Sequence, residues 1–236
     1  MILKQSFGWK KERVIQWMLA LSALLAVATT FTIIGVLGTE TVAFFRHVSL
    51  WDFLTGTRWE PLLDPRSFGI LPLLGGTLLI VVGSGLMAIP VGLITAIYLS
   101  EYASERVRGI VKPALEILAG IPTVVYGVFA LTFVTPLLRN IFPTMQVFNA
   151  LSAAIVVGIM ILPMVVSLCD DALKAVPTAL RQGGYALGAT TFEVSQGVVV
   201  PSALSGIMAS FVLALSRAFG ETMAVTLAAG ATPNLT

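Results

Sequence analysis

The sequence predicts an all-α protein, a polytopic bundle of membrane-spanning helices, and three observations support this. Hydrophobic residues make up 57% of the 236 residues, and charged residues make up only 11%. Mean hydropathy is +0.94, and the apolar residues are gathered into long stretches. Soluble domains have about 45–50% apolar and about 25% charged residues. The composition therefore excludes a soluble globular protein, a disordered chain and a nucleic-acid-binding protein.

Five stretches are long enough to cross a bilayer, which takes about 20 apolar residues in a helix. They are 14–36, 70–99, 115–138, 147–168 and 203–229. The prolines within them are tolerated because neighbouring groups satisfy the freed backbone. The first stretch could instead be a cleaved signal peptide with a small-residue site at 26–28. Its apolar run continues to Val36, so a signal-anchor helix is the better interpretation.

The distribution of lysine and arginine predicts the orientation. With the N-terminus in the cytoplasm, the inner segments 1–13, 100–112 and 169–200 hold nine of these residues, and the outer segments hold four. We therefore expect a cytoplasmic N-terminus over 1–13, a membrane domain over 14–230 and the start of an outer loop over 231–236. The outer segment 39–69 mixes aromatic and charged residues, as is typical of a membrane interface, and could hold a short surface helix.

The inner segment 169–200 predicts a helix that projects from the membrane. Pro177 can open a helix because its missing N–H would have no partner there. The stretch 178–187 is amphipathic, Gly188 breaks it, and the stretch 190–193 can start a second helix with a hydroxyl cap. That helix returns to the membrane at Pro201. An ordinary interfacial helix and a docking knob for a cytoplasmic partner both fit this pattern.

The sequence carries no pattern for catalysis or metal binding. It has no phosphate-binding loop and no HExxH or GxSxG motif. Cys169 and His47 are the single residues of their types, which excludes an internal disulfide, a cysteine metal cluster and multi-histidine zinc sites. We expect neither enzymatic activity nor a cofactor in this chain.

Arg217 and Glu221 are the charged residues of the fifth stretch. Their spacing predicts one face of a helix. An arginine at the centre of a membrane helix costs about 2.5–3.5 kcal/mol, so we expect it to face the bundle interior or an aqueous cavity, paired with Glu221. The pair could lock two helices together. Alternatively, it could belong to an anion pathway, because a guanidinium matches the geometry and charge of phosphate.

The segment 182–201 resembles the cytoplasmic signature of binding-protein-dependent ABC permeases: Glu-Ala-Ala, three residues, Gly, nine residues, then Ile-x-Leu-Pro. Here Gln182, Gly183 and Gly184 are followed at the same spacings by Gly188 and by VVVP at 198–201. Glutamine, glycines and valines replace the usual residues. In that family the segment docks in a groove of an ATPase subunit. The resemblance implies an ATPase-coupling role for Arg181, Gln182, Gly183, Gly184, Tyr185, Gly188, Glu193 and Pro201.

Further stretches resemble the PstC-type permease subunits of phosphate importers: FLTGTRWEP at 53–61 with FGILP at 68–72, AIYLSEYA at 96–103, GIPTVVYG at 120–127 and RAFGET at 217–222. The resemblance implies a MetI-like ABC importer permease of the bacterial inner membrane that forms half of the path for inorganic phosphate. It implies as partners a second permease subunit (PstA type), a dimer of ATPase subunits (PstB type), a phosphate-binding protein outside the cytoplasm (PstS type) and membrane lipid. ATP and Mg would be bound by the ATPase.

The family has six spans with both termini inside, so we expect an outer loop and a sixth span after Thr236. A permease for another oxyanion, such as sulfate, molybdate or tungstate, is an alternative. An ATP-independent secondary transporter is another, although it leaves the spacing of 182–201 unexplained.

Overall fold

The computed structural model describes residues 6–62 and 64–231, with side chains from residue 12 onward. The first five residues of the predicted cytoplasmic N-terminus and residues 232–236 of the predicted outer loop lie outside this part. The chain forms two compact units, Met1–Ile70 and Leu71–Thr236.

The first unit contains one long helix and a small folded segment. Helix α1, Ser6–Phe45, includes the predicted 14–36 span, and its side chains are exposed from Glu12 to Ala43. Helix α2, Leu50–Thr55, and strands β1, Trp59–Glu60, and β2, Ser67–Phe68, follow. The strands pair antiparallel with Trp59 opposite Phe68. This small ladder is a strand element that the all-α prediction did not contain.

The second unit is helical. Its elements are α3 (Leu71–Ile97) with a π-helical turn at Tyr98–Tyr102, α4 (Glu105–Ala119), α5 (Thr123–Phe129), a π-helical turn at Ala130–Val134, α6 (Thr135–Ile141), α7 (Ala150–Lys174), α8 (Thr178–Ala186), α9 (Thr191–Val194), a π-helical turn at Ser195–Val199, α10 (Val200–Ser202), α11 (Leu204–Phe219) and α12 (Met223–Ala229).

Four helices are long and apolar enough to cross a membrane: Glu12–Phe45, Leu71–Tyr102, Thr123–Ile141 and Ala150–Lys174. A fifth candidate is the pair Thr191–Ser202 and Leu204–Phe219, which meet at an angle of 69°. The second and fourth predicted spans are thus confirmed, with shifted ends.

Helix α7 forms the centre of the second unit and packs against α3, α11, α12 and α4. Small residues allow α3 and α7 to approach closely. A Cβ atom added at Gly83 would lie 2.9 Å from Cβ of Ala154, and one at Gly92 would lie 2.6 Å from Cγ1 of Val165. Glycine and alanine serve this purpose in membrane bundles because they let helix backbones meet.

Two predicted spans are wrong as continuous helices. The third, 115–138, is broken between α4 and α5 because Pro122 has no N–H and restricts Ile121 before it. Residues 115–119 end the amphipathic helix α4, in which no side chain is buried. The fifth, 203–229, stops at Phe219, and a new helix begins at Met223.

Candidate functional site

Helix α8 begins and ends where the sequence indicated. Pro177 immediately precedes it, and it ends at Ala186. Gly188 then adopts a left-handed backbone, with φ of +84°. The N–H of Gly188 donates to Tyr185 O, and the N–H of Ala189 donates to Gly184 O. This pair of bonds is a Schellman motif, which satisfies the last carbonyls of a helix and favours glycine at the left-handed position. The predicted bend at Gly188 is confirmed.

The chain turns back through a capping box at the start of α9. The Thr190 N–H donates to Glu193 Oε2 over 2.8 Å, and the Glu193 N–H donates to Thr190 Oγ1 over 3.4 Å. The two residues thereby satisfy each other's free backbone donors. Glu193, predicted to contact an ATPase, therefore also fixes the geometry of this turn.

The two glycines of the signature have different surroundings. A Cβ at Gly184 would lie 2.9 Å from Cγ2 of Val194, whereas one at Gly183 would meet nothing within 4 Å. Gly184 thus allows α8 to pack against α9, and Gly183 stands on the open side. The remaining predicted positions that are exposed are Gln182, Tyr185, Gly188, Glu193 and Pro201.

Large apolar side chains also project from this segment. Leu187 is 90% exposed and Phe192 is 64% exposed, and Leu180 and Tyr185 are exposed as well. Exposed apolar groups gathered between polar ones are typical of a surface that is covered by a partner. Leu187 and Phe192 were not among the predicted site residues, although an apolar residue on each side of the Gly188 bend was a visible signal.

Arg181 is directed into the subunit. Its guanidinium donates through Nε and Nη2 to the two carboxylate oxygens of Glu101, over 3.3 and 3.1 Å. It also donates to the carbonyls of Val176 and Leu173, over 2.6 and 2.8 Å. The side chains of Glu101 and Arg181 are 4% and 17% exposed. Glu101 was not predicted as a site residue. The signal for it in the sequence was a carboxylate at the end of the second apolar stretch.

Arg217 and Glu221 do not lie on one helix face. Arg217 is in the last turn of α11, whereas Glu221 follows the end of that helix. Glu221 Oε1 accepts the Ala224 N–H over 3.0 Å and so caps the start of α12. Within the described part of the chain, no ion pair joins the two residues. The predicted pairing is wrong because Gly220 ends the helix between them.

Arg217 lines a cavity of about 400 Å³ that α4 and α7 also line. Its other ionisable lining residues are Lys112, Glu116 and Asp170, and the remainder of the lining is mostly apolar. Arg217 therefore lines a cavity, as expected, but it does so without the predicted ion pair to Glu221. The two cations and two carboxylates of the lining balance in formal charge, and Lys112 is paired with Asp170, so Arg217 is the cationic group of this cavity that remains to attract an anion.

Asp170 is a fully buried carboxylate that joins α4 to α7. Its Oδ2 accepts from Lys112 Nζ over 2.9 Å and from Lys174 Nζ. The hydrogen bond to Asp170 raises the pKa of the Lys112 ammonium above its ordinary value, so this lysine remains charged at neutral pH. Asp170 Oδ1 has no hydrogen-bond partner among the described residues. The sequence signal for this cluster was a lysine four positions after an aspartate at the end of an apolar stretch.

Comparison with known families gives a match over residues 88–235 to the binding-protein-dependent transport system inner membrane component. The probable ABC transporter permease protein YqgH of Bacillus subtilis is 36% identical over 89% of this chain and 69% of its own length. The phosphate transport system permease protein PstC of Mesorhizobium japonicum is 37% identical, over 76% of this chain and 60% of its own. PstC of Haemophilus influenzae is 36% identical, over 76% and 62%.

The chain thus spans between 60% and 69% of the length of these relatives. A chain from inward-facing crystals of the MetNI methionine ABC transporter superposes with a TM-score of 0.52. It is 22% identical to this chain, and the superposition covers 64% of this chain and 68% of that one. This likeness shows the predicted MetI-like fold.

Proposed function

The chain belongs to the binding-protein-dependent transport system inner membrane component family, and from that premise we propose that it is a permease subunit of an ATP-driven importer of inorganic phosphate. Similarity to relatives named phosphate transport system permease protein PstC, at 36–37% identity over 76% of the chain, carries the proposal. The cavity lined by Arg217, which has no ion pair in the described part of the chain, fits an anionic substrate.

The proposed partners are a second permease subunit of the PstA type, two ATPase subunits of the PstB type and a phosphate-binding protein of the PstS type. ATP and Mg would be bound by the ATPase subunits. We propose that α8, with the exposed Leu187 and Phe192, is the surface on which an ATPase subunit docks. Apolar side chains of this surface are exposed beside polar ones, and the Gly188 and Thr190 motifs fix its turn.

The proposed orientation places the N-terminus and α8 in the cytoplasm and the segment 46–70 outside. It rests on the excess of lysine and arginine in the inner segments. In this arrangement phosphate passes from the outer receptor into the path between the two permease subunits. Arg217 supplies a fixed cationic contact, since a guanidinium forms bidentate bonds with phosphate oxygens. Glu221 acts on the path indirectly, because it anchors α12.

Reconstitution tests the proposal. The protein, assembled with its permease, ATPase and receptor partners in proteoliposomes, is expected to accumulate labelled phosphate only when ATP is present on the ATPase side. Excess unlabelled phosphate should abolish the signal, whereas sulfate and molybdate should not. Uptake that needs no ATPase would contradict the assignment as an ABC permease. Stronger competition by sulfate or molybdate than by unlabelled phosphate would contradict phosphate as the substrate.

A further inference from the structure

The Glu101–Arg181 pair ties α8 to two other helices at once. Glu101 lies in the π-helical turn that ends α3, and its carboxylate is held at both oxygens by the guanidinium. The same guanidinium donates to Leu173 O in the last turn of α7 and to Val176 O just after it. One side chain of α8 therefore contacts the ends of both α3 and α7.

The carboxylate end of this contact is also fixed. Ser100 Oγ donates to Glu101 Oε1 over 2.7 Å. Arg108 of α4 donates to the carbonyls of Leu99 and Ser100 in the same π-helical turn. Charge-assisted bonds with two parallel N–H groups are the strong and directional ones, and burial keeps them from being screened by salt. The contact is therefore a stiff link between α8 and the packed helices.

Helices α3 and α7 are themselves packed closely through Gly83, Gly92 and Gly158. Interfaces of this density transmit displacement because they have little free volume to absorb it. A movement of α8 that pulls on Arg181 would consequently act on both helices together. Val194 against Gly184 is a second, apolar contact that holds α8 from its other side.

We propose that Glu101 is a positioning residue of the transport reaction: through Arg181 it couples the displacement of α8 to the α3–α7 pair. The inference rests on the proposed function, in that an ATPase subunit must move α8. It assigns Arg181 a role inside the permease, distinct from the ATPase contact that its place in the signature implies. The Glu101 side chain is 4% exposed and does not line the cavity beside Arg217, so the role assigned to it is exerted through Arg181.

The test compares Glu101→Gln with Glu105→Gln in the full complex. Glu105 is the matched control because its side chain is 93% exposed and lies 3.8 Å from Arg108. Uptake and ATP hydrolysis are measured in the same proteoliposomes, beside membrane abundance and co-purification of the ATPase. Glu101→Gln is expected to keep abundance and assembly but to lower the uptake per ATP hydrolysed at least about fivefold, the lower end of coupling between sites. The control should keep the wild-type ratio.

Hydrogen exchange shows whether the substitution frees α8 alone or loosens the packed helices as well. Amides of α8, Thr178–Ala186, should exchange faster in Glu101→Gln, while those of α3 and α7 keep their wild-type rates. A loss of abundance with an unchanged ratio of uptake to hydrolysis would overturn the proposal. The proposal would also be overturned if Glu101→Gln kept the wild-type ratio of uptake to hydrolysis while Arg181→Gln lowered it. Arg181 would then act at the ATPase surface and not through Glu101.

Arg181→Lys decides the matter if Glu101→Gln does not accumulate. A lysine can pair with Glu101 but has no planar fork with which to hold the carboxylate and two carbonyls together. Its ratio of uptake to hydrolysis should fall, and a wild-type ratio would overturn the proposal. The ratio is measured with whichever oxyanion the wild-type complex takes up, so an error in the proposed substrate would leave this test intact.

Discussion

Arg217 and Glu221 have different roles, because the Glu221 carboxylate is engaged in a hydrogen bond with a backbone N–H. Glu221 accepts the Ala224 N–H, so its carboxylate serves the start of α12, while Arg217 lines the cavity. A sequence cannot reveal this, because a spacing of four residues pairs side chains only where the helix is continuous. Gly220 lies between them and was the one sequence feature that indicated the end of the helix.

The structure therefore predicts that the two residues contribute independently. Arg217→Gln should abolish phosphate uptake at normal membrane abundance, since it removes a cation from the cavity. Glu221→Gln keeps an amide oxygen that can accept the Ala224 N–H. It should therefore lower the free energy of unfolding by less than the roughly 1 kcal/mol that a lost helix cap costs. In a double-mutant cycle of thermal stability, the interaction energy should stay below about 0.5 kcal/mol, as for sites without shared partners. The measurements are uptake and unfolding midpoints, and a coupling several times larger would mean that the residues interact directly.

Single charged residues at the ends of apolar stretches were the least predictable part of the site. Glu101 and Asp170 each lie at such an end, where a solvated charge is the ordinary expectation. Their burial depends on partners 80 and 58 positions away, at Arg181 and Lys112. No local pattern identifies those partners, whereas the turn at Gly188 and the cap at Thr190 are local and could be read directly.

At the scale of elements, the length of a spanning helix could be predicted from the sequence, whereas the breaks within the apolar stretches could not. The apolar stretches 14–36, 70–99 and 147–168 each correspond to one helix of spanning length, because length and composition alone decide whether a helix suits a bilayer. The breaks at 120–122 and 220–222 were missed because each lies inside a stretch that remains apolar. Proline and glycine at these positions ended the helices, and hydropathy does not register backbone geometry.

The bend after α8 is an element whose shape can be tested. Gly188→Lys places a side chain at φ of +84°, which costs roughly 1–2 kcal/mol for an L-residue. We expect reduced co-purification of the ATPase subunit and reduced uptake, with membrane insertion unchanged. Gly109→Lys in α4 is the control, because Gly109 is also exposed and open but lies within a regular helix. Wild-type assembly of Gly188→Lys would show that the direction of α8 is not required for docking.

The number of crossings between two exposed positions decides whether they lie on the same side of the membrane. Thr57 and Gln182 are separated by three helices of spanning length, Leu71–Tyr102, Thr123–Ile141 and Ala150–Lys174. An odd number of crossings places the two positions on opposite sides. The amphipathic α4 has no buried side chain and is not among the spanning helices, so Gly109 should share the side of Gln182.

Cysteine labelling tests this arrangement cleanly because the native Cys169 is fully buried. Thr57→Cys should react with a membrane-impermeant maleimide in intact cells, and Gly109→Cys and Gln182→Cys should react only in inverted vesicles. Prior treatment with a permeant maleimide should block all three positions, which controls for accessibility. Labelling of Thr57→Cys and Gln182→Cys from one side would require an even number of crossings between them. In that case, either one of the three helices lies outside the bilayer or α4 crosses it. The proposed orientation, with α8 in the cytoplasm and segment 46–70 outside, would then be wrong.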